Sequence, residues 1–284
     1  MTDVIEKAKH LTGKFSVSGE VSLFEQCWEP EGTAKAAVII VHGHGEHSTR
    51  YDHIAERLNG EGYSVYSYDQ RGHGQSPGRP GYIAAFELLV DDLSLFVNRV
   101  REQIDGSPLF LFGHSMGGLV LANYVLKCQP EVAGLVFSSS ALKVADNVAP
   151  LTQKLSGVLS ALTPWLPVLR VDPEAISRDP DEVRKYENDP LVYHGKILAR
   201  TGAEMMNAMN HAQTHLGELR LPFIALHGTG DTIVDPSGTR VLYEKAGSTD
   251  KTLKLYEGGY HEVFHDHDRE QFLRDVIDWL NAHC

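Results

Sequence analysis

One pentapeptide, Gly113-His114-Ser115-Met116-Gly117, constrains this chain more than any other feature. It stands directly after the apolar run PLFLFG (108–113) and directly before a helical run at 116–128. A G-x-S-x-G between a strand and a helix is the setting of a nucleophile elbow, a sharp turn that lifts a serine hydroxyl off the edge of a sheet. The flanking glycines let the backbone pack closely around the turn. The helix N-terminus then aims backbone donors at an oxyanion. A glycine-rich turn with an incidental serine is the plain alternative, and the strand, the helix and the extra Gly118 weigh against it.

The rest of the pattern supplies the sheet. AAVIIV (36–41), YSVYSYD (63–69), VAGLVFSSS (132–140), LPFIALHG (221–228) and KTLKLYE (251–257) are short, largely apolar runs of the kind that form strands buried on both faces. Helical stretches lie between them at about 50–59, 86–105, 116–128, 236–246 and 268–282, and the clearest is 86–105. There Phe86, Leu89, Val90, Leu93, Val97, Val100 and Ile104 fall on one stripe. Residues 14–28 read as an opening β-hairpin turning at Gly19-Glu20. Strands alternating with helices predict an α/β fold with a mostly parallel, doubly wound sheet. The interruption at 141–215 holds helix-like runs and no strand-like ones, so it reads as a helical cap insertion over a core of 1–140 and 216–284. Within it Leu151, Leu155, Val158, Leu159 and Leu162 form one apolar helical face, broken by Thr163-Pro164 before Trp165.

Charge narrows the function. Lys+Arg is 26 against 38 Asp+Glu, a net charge of −12. That argues against sequence-independent nucleic-acid binding and against docking on anionic lipid through a basic patch. Cys27, Cys128 and Cys284 are far apart and form no CxxC pair or disulfide framework, which points to a reducing, cytoplasmic location. The opening MTDVIEKAKHLTGKF has no apolar h-region, and the longest clean apolar run, Ala36 to Val41, is far too short to span a membrane.

A serine nucleophile needs a base, and the base needs an acid to orient it. After an elbow of this type the chain order is serine, acid, histidine. HGTGD places Asp231 just beyond the strand at 221–228, and EGGYH places His261 just beyond the strand at 251–257. The competitors have plainer roles. Asp235 precedes Pro236 at a helix start, and His265 and His267 lie in a polar HDHD run. His283 is the remaining candidate base. The loop HGHGEH (42–47) follows the first central strand, so the N–H of His44 is expected to join that of Met116 in an oxyanion hole. Two zinc patterns also occur, H-E-x-x-H at 261–265 and H-x-H-x-E-H at 42–47. The first follows a strand and Gly258-Gly259 and lacks a plausible downstream third ligand. The second has glutamate where binuclear zinc hydrolases want aspartate and leaves the G-x-S-x-G unexplained. No metal and no cofactor are expected.

HGHGEHSTRY (42–51), DQRGHGQSPG (69–78), GHSMGG (113–118), ENDPLV (187–192), HGTGD (227–231) and KTLKLYEGGYH (251–261) together resemble the monoacylglycerol lipases. These are serine hydrolases of the α/β-hydrolase fold, in the lysophospholipase-like group, and the resemblance runs the length of the chain in order. It implies cleavage of monoacylglycerols to glycerol and fatty acid, with Ser115 as nucleophile, Asp231 as acid and His261 as base. It also implies His44 and Met116 as oxyanion donors, and a glycerol pocket at Glu46, Arg50 and Tyr186. The insertion matches the family's cap, which guards the acyl tunnel and touches lipid aggregates. Two departures stand out. His44 replaces a small residue such as alanine, and TIVD (232–235) lacks the family's occasional cysteine. A lysophospholipase or medium-chain carboxylesterase is the nearest alternative. A non-catalytic binding protein on the same fold would need a broken triad position, and Ser115, Asp231 and His261 are all in place.

Overall fold

The computed structural model describes residues 9–143 and 160–284. Eight strands form one sheet: β1 (Lys9–Ser16), β2 (Ser22–Glu29), β3 (Ala36–Val41), β4 (Tyr63–Tyr68), β5 (Leu109–His114), β6 (Gly134–Ser138), β9 (Phe223–Gly228) and β10 (Lys251–Tyr256). Their spatial order is β1-β2-β4-β3-β5-β6-β9-β10. The opening hairpin and its pairing with β4 are antiparallel, and every later pairing is parallel.

The continuous apolar runs follow from burial on both faces. Along β3, Ala37, Ile39 and Val41 enter one core while Ala36, Val38 and Ile40 enter the other. In β5, Leu109 and Leu111 take the first side and Phe110 and Phe112 the second. The first core is closed by α2 (Phe86–Arg101) and α3 (Met116–Cys128), and the second by α1 (Asp52–Gly60) and the C-terminal helix Arg269–Ala282. This is the α/β-hydrolase architecture. Helix α2 stops earlier than its apolar stripe suggests, because Asp105 and Gly106 turn the chain with φ of 43° and 77°.

Between β6 and β9 the sequence led us to expect helices alone. A short antiparallel pair also forms there, β7 (Pro167–Leu169) with β8 (Ile197–Leu198). Two- and three-residue strands are too short for alternation to reveal, and Thr163-Pro164 reads as a helix break. Two helices follow, α4 (Pro180–Asn188) and α5 (Ala199–His215). Asp179 caps α4, its side chain accepting from the Asp181 N–H. Ala208 and Ala212 of α5 are buried in the first core, so this helix is packed on the sheet's own helices. Helix α6 (Ser237–Lys245) sits between β9 and β10, and α7 denotes Arg269–Ala282. Leu151, Leu155, Val158 and Leu159 lie outside the described residues. Leu162, Trp165, Leu166, Val168 and Leu169 are exposed. No helix among the described residues is long and apolar enough to cross a membrane.

Candidate active site

The loops after β3, β5, β9 and β10 meet at the carboxyl edge of the sheet, where open α/β sheets build their sites. Ser115 joins β5 to α3 with φ 51° and ψ −118°, a left-handed conformation that costs a non-glycine residue about 1–3 kcal/mol. Two glycines make the turn possible. A Cβ on Gly117 would stand 2.0 Å from the Val41 carbonyl oxygen, and one on Gly113 would stand 2.7 Å from that of Gly117. Ser115 itself is held by its N–H, which donates to the Ser138 carbonyl at 2.9 Å. Met116 opens α3, so its N–H is one of the helix's unpaired first-turn donors.

His261 stands on the loop after β10, and its Nδ1 is 2.6 Å from Asp231 Oδ2. Asp231 lies on the loop after β9, where Oδ1 also accepts the N–H groups of Ile233 at 2.8 Å and Val234 at 3.0 Å. Burial would raise the Asp231 carboxyl. The charge of His261 and the hydrogen bonds from His227 and His261 outweigh it and hold the group well below the usual carboxylate range. Burial would likewise lower His261, but the Asp231 charge and hydrogen bond raise it above its ordinary value. Asp235 accepts from the Ser237 N–H at 2.8 Å and faces Lys143, the helix-start role expected of it.

Ser115 and His261 border a cavity of about 400 Å³. Its lining joins the polar residues His44, Glu46, Lys143, Tyr186, Asp235 and Glu262 with apolar ones that include Val168, Leu169, Ile197, Met205 and Met209. The expected head-group residues therefore part company. Glu46 and Tyr186 line the cavity. The Arg50 guanidinium is buried behind them, paired with both Glu46 and Glu262 and lying over the Tyr186 ring at 4.9 Å. Glu46 Oε1 accepts from the Gly43 N–H at 2.5 Å and the Tyr51 hydroxyl at 2.7 Å, which fixes the loop carrying His44. Both ring nitrogens of His44 are buried without a partner, and burial followed by the neighbouring His73 pushes its pKa down to about 3, so the ring is neutral.

Glu262 escaped the sequence reading because H-E-x-x-H absorbed it. Its carboxyl, which burial would raise, is held well below the usual range by Arg50 and a hydrogen bond with His265. His114 was also overlooked, and its ring packs on His261 at 4.8 Å. Neither zinc pattern forms a cage. Val263–His265 is one 3-10 turn, not the long helix a zincin needs, and both nitrogens of His42 are engaged, by the Gly43 carbonyl and the Gln70 N–H. Among the described residues no group of three or more His, Cys, Asp or Glu side chains is placed to hold a metal ion.

The Hydrolase_4 model, described as serine aminopeptidase S33, matches residues 32–268. A monoacylglycerol lipase of Mycolicibacterium smegmatis is 33% identical over 95% of this chain and 96% of its own. The human monoglyceride lipase is 36% identical over 84% of this chain and 79% of its own. Among solved structures, the Paleococcus ferrophilus monoacylglycerol lipase superposes with a TM-score of 0.81 at 34% identity, covering 97% of this chain and 100% of that one. With the elbow, the strand order and these matches together, the chain belongs to the monoacylglycerol lipase family of α/β-hydrolase-fold serine hydrolases.

Proposed function

We propose that this protein hydrolyses monoacylglycerols to glycerol and free fatty acid through an acyl-enzyme on Ser115. The observation that carries the reading is the mixed lining of the cavity that Ser115 and His261 border. Glu46, Tyr186 and Glu262, gathered around Arg50, share it with apolar Val168, Leu169, Ile197, Met205 and Met209, a lining that suits a single acyl chain with a compact hydroxylated head. His261 takes the Ser115 hydroxyl proton as Oγ attacks the ester carbonyl, and the oxyanion rests on the N–H groups of His44 and Met116. His261 returns the proton to the leaving glycerol. It then activates a water that releases the fatty acid. Asp231 accepts Nδ1–H throughout, keeping Nε2 free for proton transfer. Every step runs on the chain's own groups, with no cofactor.

Residues 141–215 act in this reading as a cap. The exposed Trp165, Leu166 and Leu169 touch lipid aggregates by apolar contact. The net charge of −12 makes that contact independent of anionic head groups. A cytoplasmic enzyme acting at lipid surfaces fits these features. The test is a substrate panel of monoacylglycerols of several chain lengths beside a lysophospholipid, a diacylglycerol and p-nitrophenyl esters. Monoacylglycerols are expected to give the highest kcat/KM, and a higher value on the lysophospholipid or the diacylglycerol overturns the assignment.

A further inference from the structure

Asp231 receives two histidines on one oxygen. Besides His261 Nδ1 at 2.6 Å, Oδ2 lies 2.9 Å from Nε2 of His227, four residues earlier at the end of β9. His227 is fully buried, and its other nitrogen, Nδ1, lies 2.6 Å from the hydroxyl of Thr239 in α6. A carboxylate has no hydrogen to give, so the contact to Asp231 requires Nε2–H. In the neutral ring Nδ1 is then the acceptor, and the Thr239 hydroxyl donates to it. Thr239 is itself buried. The chain therefore builds a line in which Thr239 O–H donates to His227, and both His227 Nε2–H and His261 Nδ1–H donate to Asp231.

We propose that His227 is a positioning residue for the reaction: with its ring held from the other side by the Thr239 hydroxyl, it donates Nε2–H to the Asp231 carboxylate and holds it in the rotamer that receives His261. This rests on Ser115, His261 and Asp231 being the reacting set. Two backbone N–H groups pin Oδ1, and His227 pins Oδ2, so the carboxylate is gripped at both oxygens before His261 approaches. Sharing Oδ2 also spreads the negative charge and moderates its pull on a protonated His261. Loss of the His227 donor leaves that charge on His261 alone. The imidazole then stays protonated to higher pH, and the acid limb of kcat/KM moves upward. The other titratable groups facing His261 are Glu262, Glu46 and His114, and they are unchanged in the variants below.

The experiment measures kcat/KM against pH on a soluble p-nitrophenyl ester, which keeps the result independent of the preferred head group. His227→Leu is expected to lose about 10- to 100-fold, the scale on which partners that orient a reacting ligand act, with the acid limb displaced upward. His227→Gln, whose amide N–H can still donate to Oδ2, restores most of the rate and the parent limb. Thr239→Val moves both in the same direction by less, and Thr239→Ser behaves as the parent. A folded His227→Leu protein with the parent rate and limb overturns the proposal, as does a glutamine variant no better than leucine. If His227→Leu fails to fold, the Thr239 pair decides, and valine matching serine overturns it. Ser115→Ala measured alongside separates the outcomes. Full activity in that variant removes the reacting set itself, whereas an inactive Ser115→Ala beside a parent-like His227→Leu removes only the role of His227.

Discussion

The central strands and the stretch at 162–169, between β6 and β9, use apolar residues in opposite ways. Every residue of β3, β4, β5, β6 and β9 is buried. In β7 all three residues, Pro167, Val168 and Leu169, are exposed, and Leu162 is 76% exposed. The sheet spends its apolar side chains on cohesion and so holds Ser115, Asp231 and His261 to fixed positions. The stretch at 162–169 leaves its own at the surface or along the cavity, where they are free to meet a substrate, while Ala208 and Ala212 further on join the first core. Precision and access are thus divided between two regions of one chain.

Four measurements would break or sharpen that division. The largest effect belongs to the sheet edge. Ser115→Ala should abolish ester hydrolysis with the melting temperature unchanged, and Asp231→Asn should lower kcat about 10⁴-fold, because the imidazole loses the acceptor that sets its tautomer. Asp235→Asn should cost only a helix-start interaction of about 1 kcal/mol, so the reverse ranking would show that the loop after β9 has been misread. The second effect is on stability. Phe137, fully buried in the first core, should cost about 3–5 kcal/mol when replaced by alanine, read by denaturant unfolding. Leu169→Ser, at a position 58% exposed, should stay within about 0.5 kcal/mol. Comparable losses would mean that the surface of the segment is core after all.

The third measurement is a pH profile. Hydrolysis needs His261 neutral, and Asp231 raises its pKa, so kcat/KM should fall on the acid side with a midpoint above the ordinary imidazole value of 6.5. A midpoint below 6.5 would mean that burial, not the carboxylate, governs this histidine. The smallest effect is the most selective. Leu162→Ser with Leu166→Ser, both exposed and outside the cavity lining, should raise KM for long-chain monoacylglycerol in vesicles, leave short soluble esters almost unchanged, and persist at high salt. Equal losses on both substrates would place the entrance elsewhere.

Much of this was legible in the sequence, for local reasons. The elbow is a contiguous pattern whose glycines are demanded by backbone contacts, as the 2.0 Å approach at Gly117 shows. The central strands declared themselves because burial on both faces leaves no polar alternation to blur the run. The β7–β8 pair was illegible because a two-residue strand carries no period. Glu262 was hidden for a different reason: the same residues fit a zinc pattern, and only position distinguishes a ligand from an ion-pair partner.

By itself the sequence determined the order of Ser115, Asp231 and His261, the proposed reacting residues, the alternation that makes the sheet, and the turn at Ser115. Each depends on neighbours within a few positions, where periodicity and turn chemistry act. Tertiary structure alone decided the distant partners of the ionisable groups. Arg50 meets Glu262 across 212 residues of chain, and of this pair Glu262 lines the cavity while Arg50 stands behind it. Asp231 likewise serves two histidines because β9 and β10 lie side by side in parallel, bringing the loop that carries His261 against the end of the strand that carries His227. A carboxylate's preference for a buried cation or N–H is general. Which one it receives is fixed by strand order and crossover, and residue spacing along the chain does not encode that choice.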